Sequence, residues 1–298
     1  IIAAQKARRP GDYLNLHKRL GPTDLLPEPG ALAEISTGEI MGENCERLAK
    51  RLGISREAQD EYAVMSHHRA AAATASGQLT RQILPAFPPP RYKGVSADNG
   101  VRSDTTMEKL AKLRPAFDRK LGTITAGNAS YLTDGGAAVL LASEEAAEQL
   151  GLKPIAVLRG SAVAALDPLE ELLLGPAMTV PTALDAAGLG LDEVEVIELH
   201  EAFAAQVLAV LKLLDDEEFC RDRLGRPAAV GSIDRERLNT WGGSASLGHP
   251  FGATGARLIT NCCHRLEAEK AHHGLVAACA AGAIGIGLVF ERFDRGGE

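Results

Sequence analysis

The chain has 298 residues, 45% of them hydrophobic and 24% charged, with a formal net charge of -7 at pH 7. That is enough apolar material for one large or two modest cores, and the acidic balance excludes a surface built on clustered basic charge for nucleic acid. Five cysteines without Cys-x-x-Cys spacing exclude a disulfide framework or a zinc module and suit a reducing compartment, with the cytoplasm as the expected location and no metal expected.

In chain order, residues 1 to 97 read as helices and loops. Gly42 to Leu52 and Arg56 to Ser76 have helical spacing, with Ser55 as a cap and Glu57 and Asp60 in the first turn, before the Pro88-Pro89-Pro90 run breaks the pattern. This stretch is predicted to cover a sheet domain as a lid without belonging to its core. Residues 98 to 152 hold an apolar run, Gly135 to Ala142, predicted as a strand, and a helix from Glu144 to Leu150. From residue 153 to 298 the pattern alternates. A strand at Ile155 to Arg159 precedes a loop with Asp167-Pro168 and Gly175-Pro176, a helix at Thr179 to Ala187, a strand at Val194 to Leu199 and a helix at Ala202 to Leu214. A glycine-rich turn, a helix at Ala253 to Leu266, and strands at Leu275 to Cys279 and Ile286 to Arg292 follow. The series predicts an α/β fold. No run approaches the ~20 apolar residues needed to span a bilayer.

Three segments carry chemistry. Gly242 to Arg257, GGSASLGHPFGATGAR, sets His249 in a glycine-rich turn before a helix, where the backbone orients the ring. His200-Glu201-Ala202-Phe203 places His200 at the carboxyl end of a predicted strand, and Cys279-Ala280-Ala281-Gly282 follows another. In open α/β sheets that edge is where ligands bind. Taken singly, each has a structural reading too: a capping histidine, a strand-end hydrogen-bonder, a packing cysteine. Cys45, Cys220, Cys262 and Cys263 read as packing or surface residues, and Cys262-Cys263-His264 with His272-His273 lacks zinc-ligand spacing.

HEAF, GGSASLGHPFGATGA and CAAG, in this order, resemble the C-terminal half of a thiolase. KLRPAFDRKLGTITAGNASYLTDGGAA, from Lys112 to Ala138, resembles the segment lying against coenzyme A, and Met41-Gly42 with its helix resembles the family's loop domain. HEAF and CAAG further resemble the long-chain 3-ketoacyl-CoA thiolases that form the β subunit of the fatty-acid oxidation trifunctional complex. The resemblance implies a layered α-β-α-β-α thiolase fold with a helical loop domain (1–97), the end of an N-terminal thiolase domain (98–152) and a C-terminal thiolase domain (153–298). Nothing corresponds to the region in which the family carries its acyl-accepting cysteine, so the N-terminal half is expected to be incomplete and the sequence to be the later portion of a longer polypeptide.

The implied activity is CoA-dependent thiolysis of a 3-ketoacyl-CoA in fatty-acid β-oxidation, with coenzyme A as substrate and no permanently bound cofactor. His249 is the implied base towards the nucleophilic cysteine, and Cys279 the acid that protonates the departing enolate. His200 and His249 are implied at the enolate oxygen, and the Ala281 N–H at the tetrahedral intermediate. Ser130 and Arg102 match positions that contact coenzyme A, while Met41, Leu172 and Phe203 are expected along the acyl pocket. A homodimer or higher homo-oligomer is implied, together with an α subunit of hydratase and dehydrogenase activity. Two alternatives remain: a thiolase-like CoA-binding or assembly subunit without a nucleophile, and a biosynthetic acetoacetyl-CoA thiolase.

Overall fold

A computed structural model describes residues 33–293, of which Glu34 onward forms one compact unit. The first 32 residues of the predicted lid lie outside the described range. Two helices open the unit: α1 (Met41–Leu52) and α2 (Arg56–Ala75). The Ser55 hydroxyl accepts the Ala58 N–H at 3.1 Å to cap α2, as its position before a helical pattern predicts. Gly53 ends α1 in the left-handed conformation.

Short helices α3 (Met107–Leu110) and α4 (Glu144–Gln149) follow, and then β1 (Ala156–Ala165), α5 (Gly175–Ala187), β2 (Val196–Leu199), α6 (Ala204–Leu214), α7 (Glu217–Leu224), α8 (Ser244–Leu247), α9 (Phe251–Glu269), β3 (His273–Ala280) and β4 (Ile284–Arg292). The strands form one mixed sheet in the order β1-β4-β3-β2. β2 and β3 are parallel, with Leu199 opposite Ala277, while β4 pairs antiparallel with both β3 and β1.

Alternation along the strands sorts the core. Ile197, Leu199, Leu275, Ala277 and Cys279 join the main apolar cluster with residues of α5 and α6. Val196, Val276 and Phe290 join Leu258, Cys262 and Leu266 of α9 in a second cluster. Helices thus cover both faces of the sheet, the layered arrangement that parallel pairing demands.

Several expectations change. Gly135 to Ala142 forms no strand: the segment pairs with no strand among the described residues, and Leu140 and Leu141 are 77% and 81% exposed. Apolar composition alone cannot make a strand, because the backbone needs a partner, and among the described residues none lies alongside. Cys45, Leu48, Ala49 and Tyr62 of α1 and α2 sit in the same cluster as the sheet residues, so these helices share the core instead of merely covering it. Helix α5 begins at Gly175, four residues before the predicted start, because Pro176 occupies its first turn, where a missing N–H costs nothing. Strand β1 runs on to Ala165 past a register shift between Leu158 and Gly160. Helix α7, unforeseen in the sequence, is capped by Asp216, which accepts the Phe219 N–H at 2.9 Å.

Candidate active site

The site is built where β2 ends. The His200 N–H donates to the Ala277 carbonyl at 2.9 Å, continuing the β2–β3 pairing by one residue and fixing His200 at the carboxyl edge of the sheet. Its ring lies against that of His249, with centroids 4.3 Å apart and planes tilted by 47°. His249 lies in the turn between α8 and α9, so a short helix and not a strand leads into it. Phe251 packs on its other side at 4.8 Å.

One segment ties these loops together. Ala129 forms a β-bridge with Phe203 and Leu132 one with His249, and the Ser130 N–H donates to Ala202 O at 2.9 Å. The GNAS stretch therefore runs across both histidine loops. Its Ser130, half-buried, is held beside the HEAF segment. Gly248 makes the close crossing possible: its φ is +91°, and a Cβ there would come within 2.5 Å of the Thr133 side chain.

Glu201 is the keystone underneath. Fully buried, it accepts from Tyr62 Oη (2.9 Å) and Ser66 Oγ (2.8 Å) of α2, Asn239 Nδ2 (2.7 Å) and the Ala245 N–H of α8 (3.1 Å). A buried carboxylate is tolerated only when its oxygens are satisfied in this way. Sequence reading passed over Glu201, although a carboxylate directly after a strand-end histidine is the signal that could have found it.

Both imidazoles are neutral near pH 7. Burial, then the neighbouring His249 and Arg257, hold His200 well below the usual histidine range, and burial with Arg257 pushes His249 down to about 4. His249 Nδ1 is 2.7 Å from Thr254 Oγ1, and the Thr254 hydroxyl itself donates to Pro250 O at 3.4 Å. With Nδ1–H donating to the threonine hydroxyl, Nε2 is left as an acceptor, the form a base requires.

Cys279 stands on β3 two residues past the Ala277 carbonyl, 7% exposed, on the face of the main cluster. Burial pushes its thiol up to about 12, so it rests protonated, and among the described residues no hydrogen bond links its sulfur to either ring. Burial, then the neighbouring Cys279, pushes the Cys45 thiol of α1 up as well. Ala281 lies in the β3–β4 turn, its N–H without a partner among the described residues.

The remaining expected contacts are dispersed. Arg102 is exposed, its backbone N–H donating to His67 Nδ1 at 3.2 Å. Leu172 is fully buried in the main cluster, Met41 packs partly buried against it, and Phe203 meets Phe117 edge-on at 6.2 Å. None of the three lines the cavity of about 340 Å³ beside His249, whose walls come from Thr133 to Ala137 and Pro250 to Ala253. Among the described residues no group of three or more His, Cys, Asp or Glu side chains is placed to hold a metal, and no helix is long and apolar enough to cross a membrane.

Comparison with known proteins decides the family. Residues 16–145 match the description "Thiolase, N-terminal domain" and residues 152–292 match "Thiolase, C-terminal domain". The chain belongs to the thiolase family. Proteins called 3-ketoacyl-CoA thiolase from Escherichia fergusonii and Citrobacter koseri are 49% and 48% identical over 291 residues, covering 98% of this chain and 67% of each relative. The acetyl-CoA acetyltransferase of Bacillus anthracis superposes with a TM-score of 0.77 at 39% identity, covering 88% of this chain and 62% of that one. Human mitochondrial 3-ketoacyl-CoA thiolase in complex with CoA gives 0.76 at 31% identity, covering 90% and 66%. The thiolase chain thus spans about two thirds of the length of the curated relatives it matches.

Proposed function

We propose that this thiolase cleaves 3-ketoacyl-CoA by CoA-dependent thiolysis, as an acetyl-CoA C-acyltransferase of fatty-acid β-oxidation. The observation that carries the reading is the closely apposed pair of neutral imidazoles, His200 and His249, at the carboxyl edge of the sheet, with no hydrogen-bond partner at either Nε2 among the described residues. In the reaction His249 Nε2 takes the proton of a cysteine thiol, and the thiolate adds to the ketone carbon. The bond between carbons two and three breaks, and its electron pair passes to acetyl-CoA as an enolate, which Cys279 protonates at carbon. The acyl group, now a thioester on the nucleophile, passes to coenzyme A: the Cys279 thiolate takes the incoming thiol's proton, the coenzyme A thiolate displaces the nucleophilic cysteine as a thiolate, and protonated His249 returns its proton to that sulfur, so all three groups are restored.

Electrostatic support follows the charge. His249 and a water held by His200 face the enolate oxygen, and the free Ala281 N–H serves the tetrahedral intermediate. The nucleophile belongs to the part of the family's length that this chain does not span. The 298 residues divide into a loop domain (1–97), the end of an N-terminal thiolase domain (98–152) and a C-terminal thiolase domain (153–298). Ser130 and Arg102 contact coenzyme A, which is a substrate and not a resident cofactor, and Met41, Leu172 and Phe203 border the acyl chain. The protein works as a homodimer or higher homo-oligomer beside an α subunit with hydratase and dehydrogenase activity. The free cysteines, four of them buried, fit the reducing cytoplasm.

The test is an acetyl-CoA release assay on the intact protein with acetoacetyl-CoA and with a long-chain 3-ketoacyl-CoA, each with free CoA. Faster turnover of the long substrate supports the degradative reading, exclusive use of acetoacetyl-CoA supports the biosynthetic one, and binding of CoA without turnover supports an assembly subunit.

A further inference from the structure

Ser244 and Arg257 lie inside the glycine-rich run, yet neither touches the free edge of the imidazole pair. Ser244 is fully buried at the first position of α8, and its Oγ is 2.9 Å from His200 Nδ1. Arg257, on the second turn of α9, donates through Nη2 to the same Oγ at 2.7 Å and through Nη1 to the Gly248 carbonyl at 2.8 Å.

The direction of the serine bond follows by elimination. A guanidinium can only donate, so Arg257 takes one lone pair of Ser244 Oγ. The hydroxyl proton then needs an acceptor, because an unpaired buried O–H costs its full desolvation. Among the described residues the only partners of Ser244 Oγ are Arg257 and His200, which leaves His200 Nδ1 as that acceptor. An imidazole accepting at Nδ1 carries its proton at Nε2. We propose that Arg257 and Ser244 are positioning residues that lock His200 as the Nε2–H tautomer, turning a titratable ring into a fixed hydrogen-bond donor towards the substrate side.

The groups facing His200 keep it so. His249 from the α8–α9 turn and Arg257 from α9 both oppose its protonation, and Arg257 is itself faced by Glu198, Glu201, Asp98 and Tyr131. The donor therefore persists as pH changes around neutrality. Arg257 serves the second ring too, because the Gly248 carbonyl it holds belongs to the peptide bond leading into His249. His200 thus donates at Nε2, the complement of a His249 that accepts there when its Nδ1–H donates to Thr254.

The inference rests on the thiolase reading for its purpose but not for its test. In the intact protein labelled with 15N-histidine, the His200 signals, assigned by their loss in His200→Asn, are expected to show an unprotonated Nδ1 and a protonated Nε2, unchanged from pH 6 to pH 8. Ser244→Ala is expected to yield a mixture of tautomers and to lower kcat about tenfold, the weight of one hydrogen bond, with KM little changed. Arg257→Met is expected to do the same, and Arg257→Lys to restore the wild-type signals in large part. A protonated Nδ1 in the wild type, or an unaltered tautomer in Ser244→Ala, overturns the proposal. Absence of thiolase activity in the wild type would contradict the functional reading alone, since the nitrogen signals still decide this one.

Discussion

Two histidines with the same side chain hold different protonation patterns here because their Nδ1 atoms meet different hydroxyls. Ser244, already accepting from Arg257, gives its proton to His200, whereas Thr254 has no such guanidinium on it and can receive from His249. For His249 the consequence is measurable. Its folded pKa, about 4, lies below the 6.5 of a free imidazole, so the unfolded chain binds more protons between those values. Stability therefore rises with pH from about 4 to about 6.5 and is lost as pH falls through that window. Denaturant titrations across it should show a shallower rise for His249→Gln than for wild type. Replacing His200 by leucine removes a donor without adding charge, and kcat is expected to fall by about 10² to 10³. Gly248→Ala must force both a +91° φ and a 2.5 Å approach to Thr133, so unfolding experiments should register a loss of ~1–3 kcal/mol.

At the scale of elements, the HEAF loop is held by what Glu201 gathers from α2, α8 and the Asn239 loop. Glu201→Leu leaves the Tyr62 hydroxyl and the Ala245 N–H without their acceptor, while Ser66 keeps Ser246 and Asn239 keeps Leu199 O, and a loss of ~3 kcal/mol is expected in denaturant unfolding. Glu201→Gln keeps acceptor capacity and should cost less. The legibility of the sequence divides along the same line. Ser55, Asp216 and Gly53 act within a turn or two of themselves, and the N-cap at Ser55 could be read directly. His200 and His249 were visible because each follows a local break that presents a side chain. Arg257 and Ser244 were in plain view within one run but meaningless without His200, which is 44 residues from Ser244. The stretch from Gly135 to Ala142 misled for the converse reason: its composition is that of a strand, while strand formation depends on a neighbour that sequence pattern does not contain.

Across the whole molecule, the sheet supplies one working edge, where β2 ends opposite Ala277, the parallel β3 runs on to Ala280, and the antiparallel β3–β4 turn brings Ala281 round. Helices α1 and α2 share the main core, and α2 supplies two of the four donors to Glu201. The α/β class, the layered arrangement and the thiolase family were legible from the alternating pattern and three motifs. The shared core was not, because apolar faces of α1 and α2 do not announce what they pack against. The central claim is that His249 and Cys279 are, respectively, the base and the acid of carbon–carbon cleavage. Its most direct test is the steady-state rate of 3-ketoacyl-CoA thiolysis by the intact protein carrying His249→Ala or Cys279→Ala, with circular dichroism to confirm folding. Each variant should remain folded and lose at least about 10²-fold in kcat. Folded variants turning over at near wild-type rates would contradict the assignment.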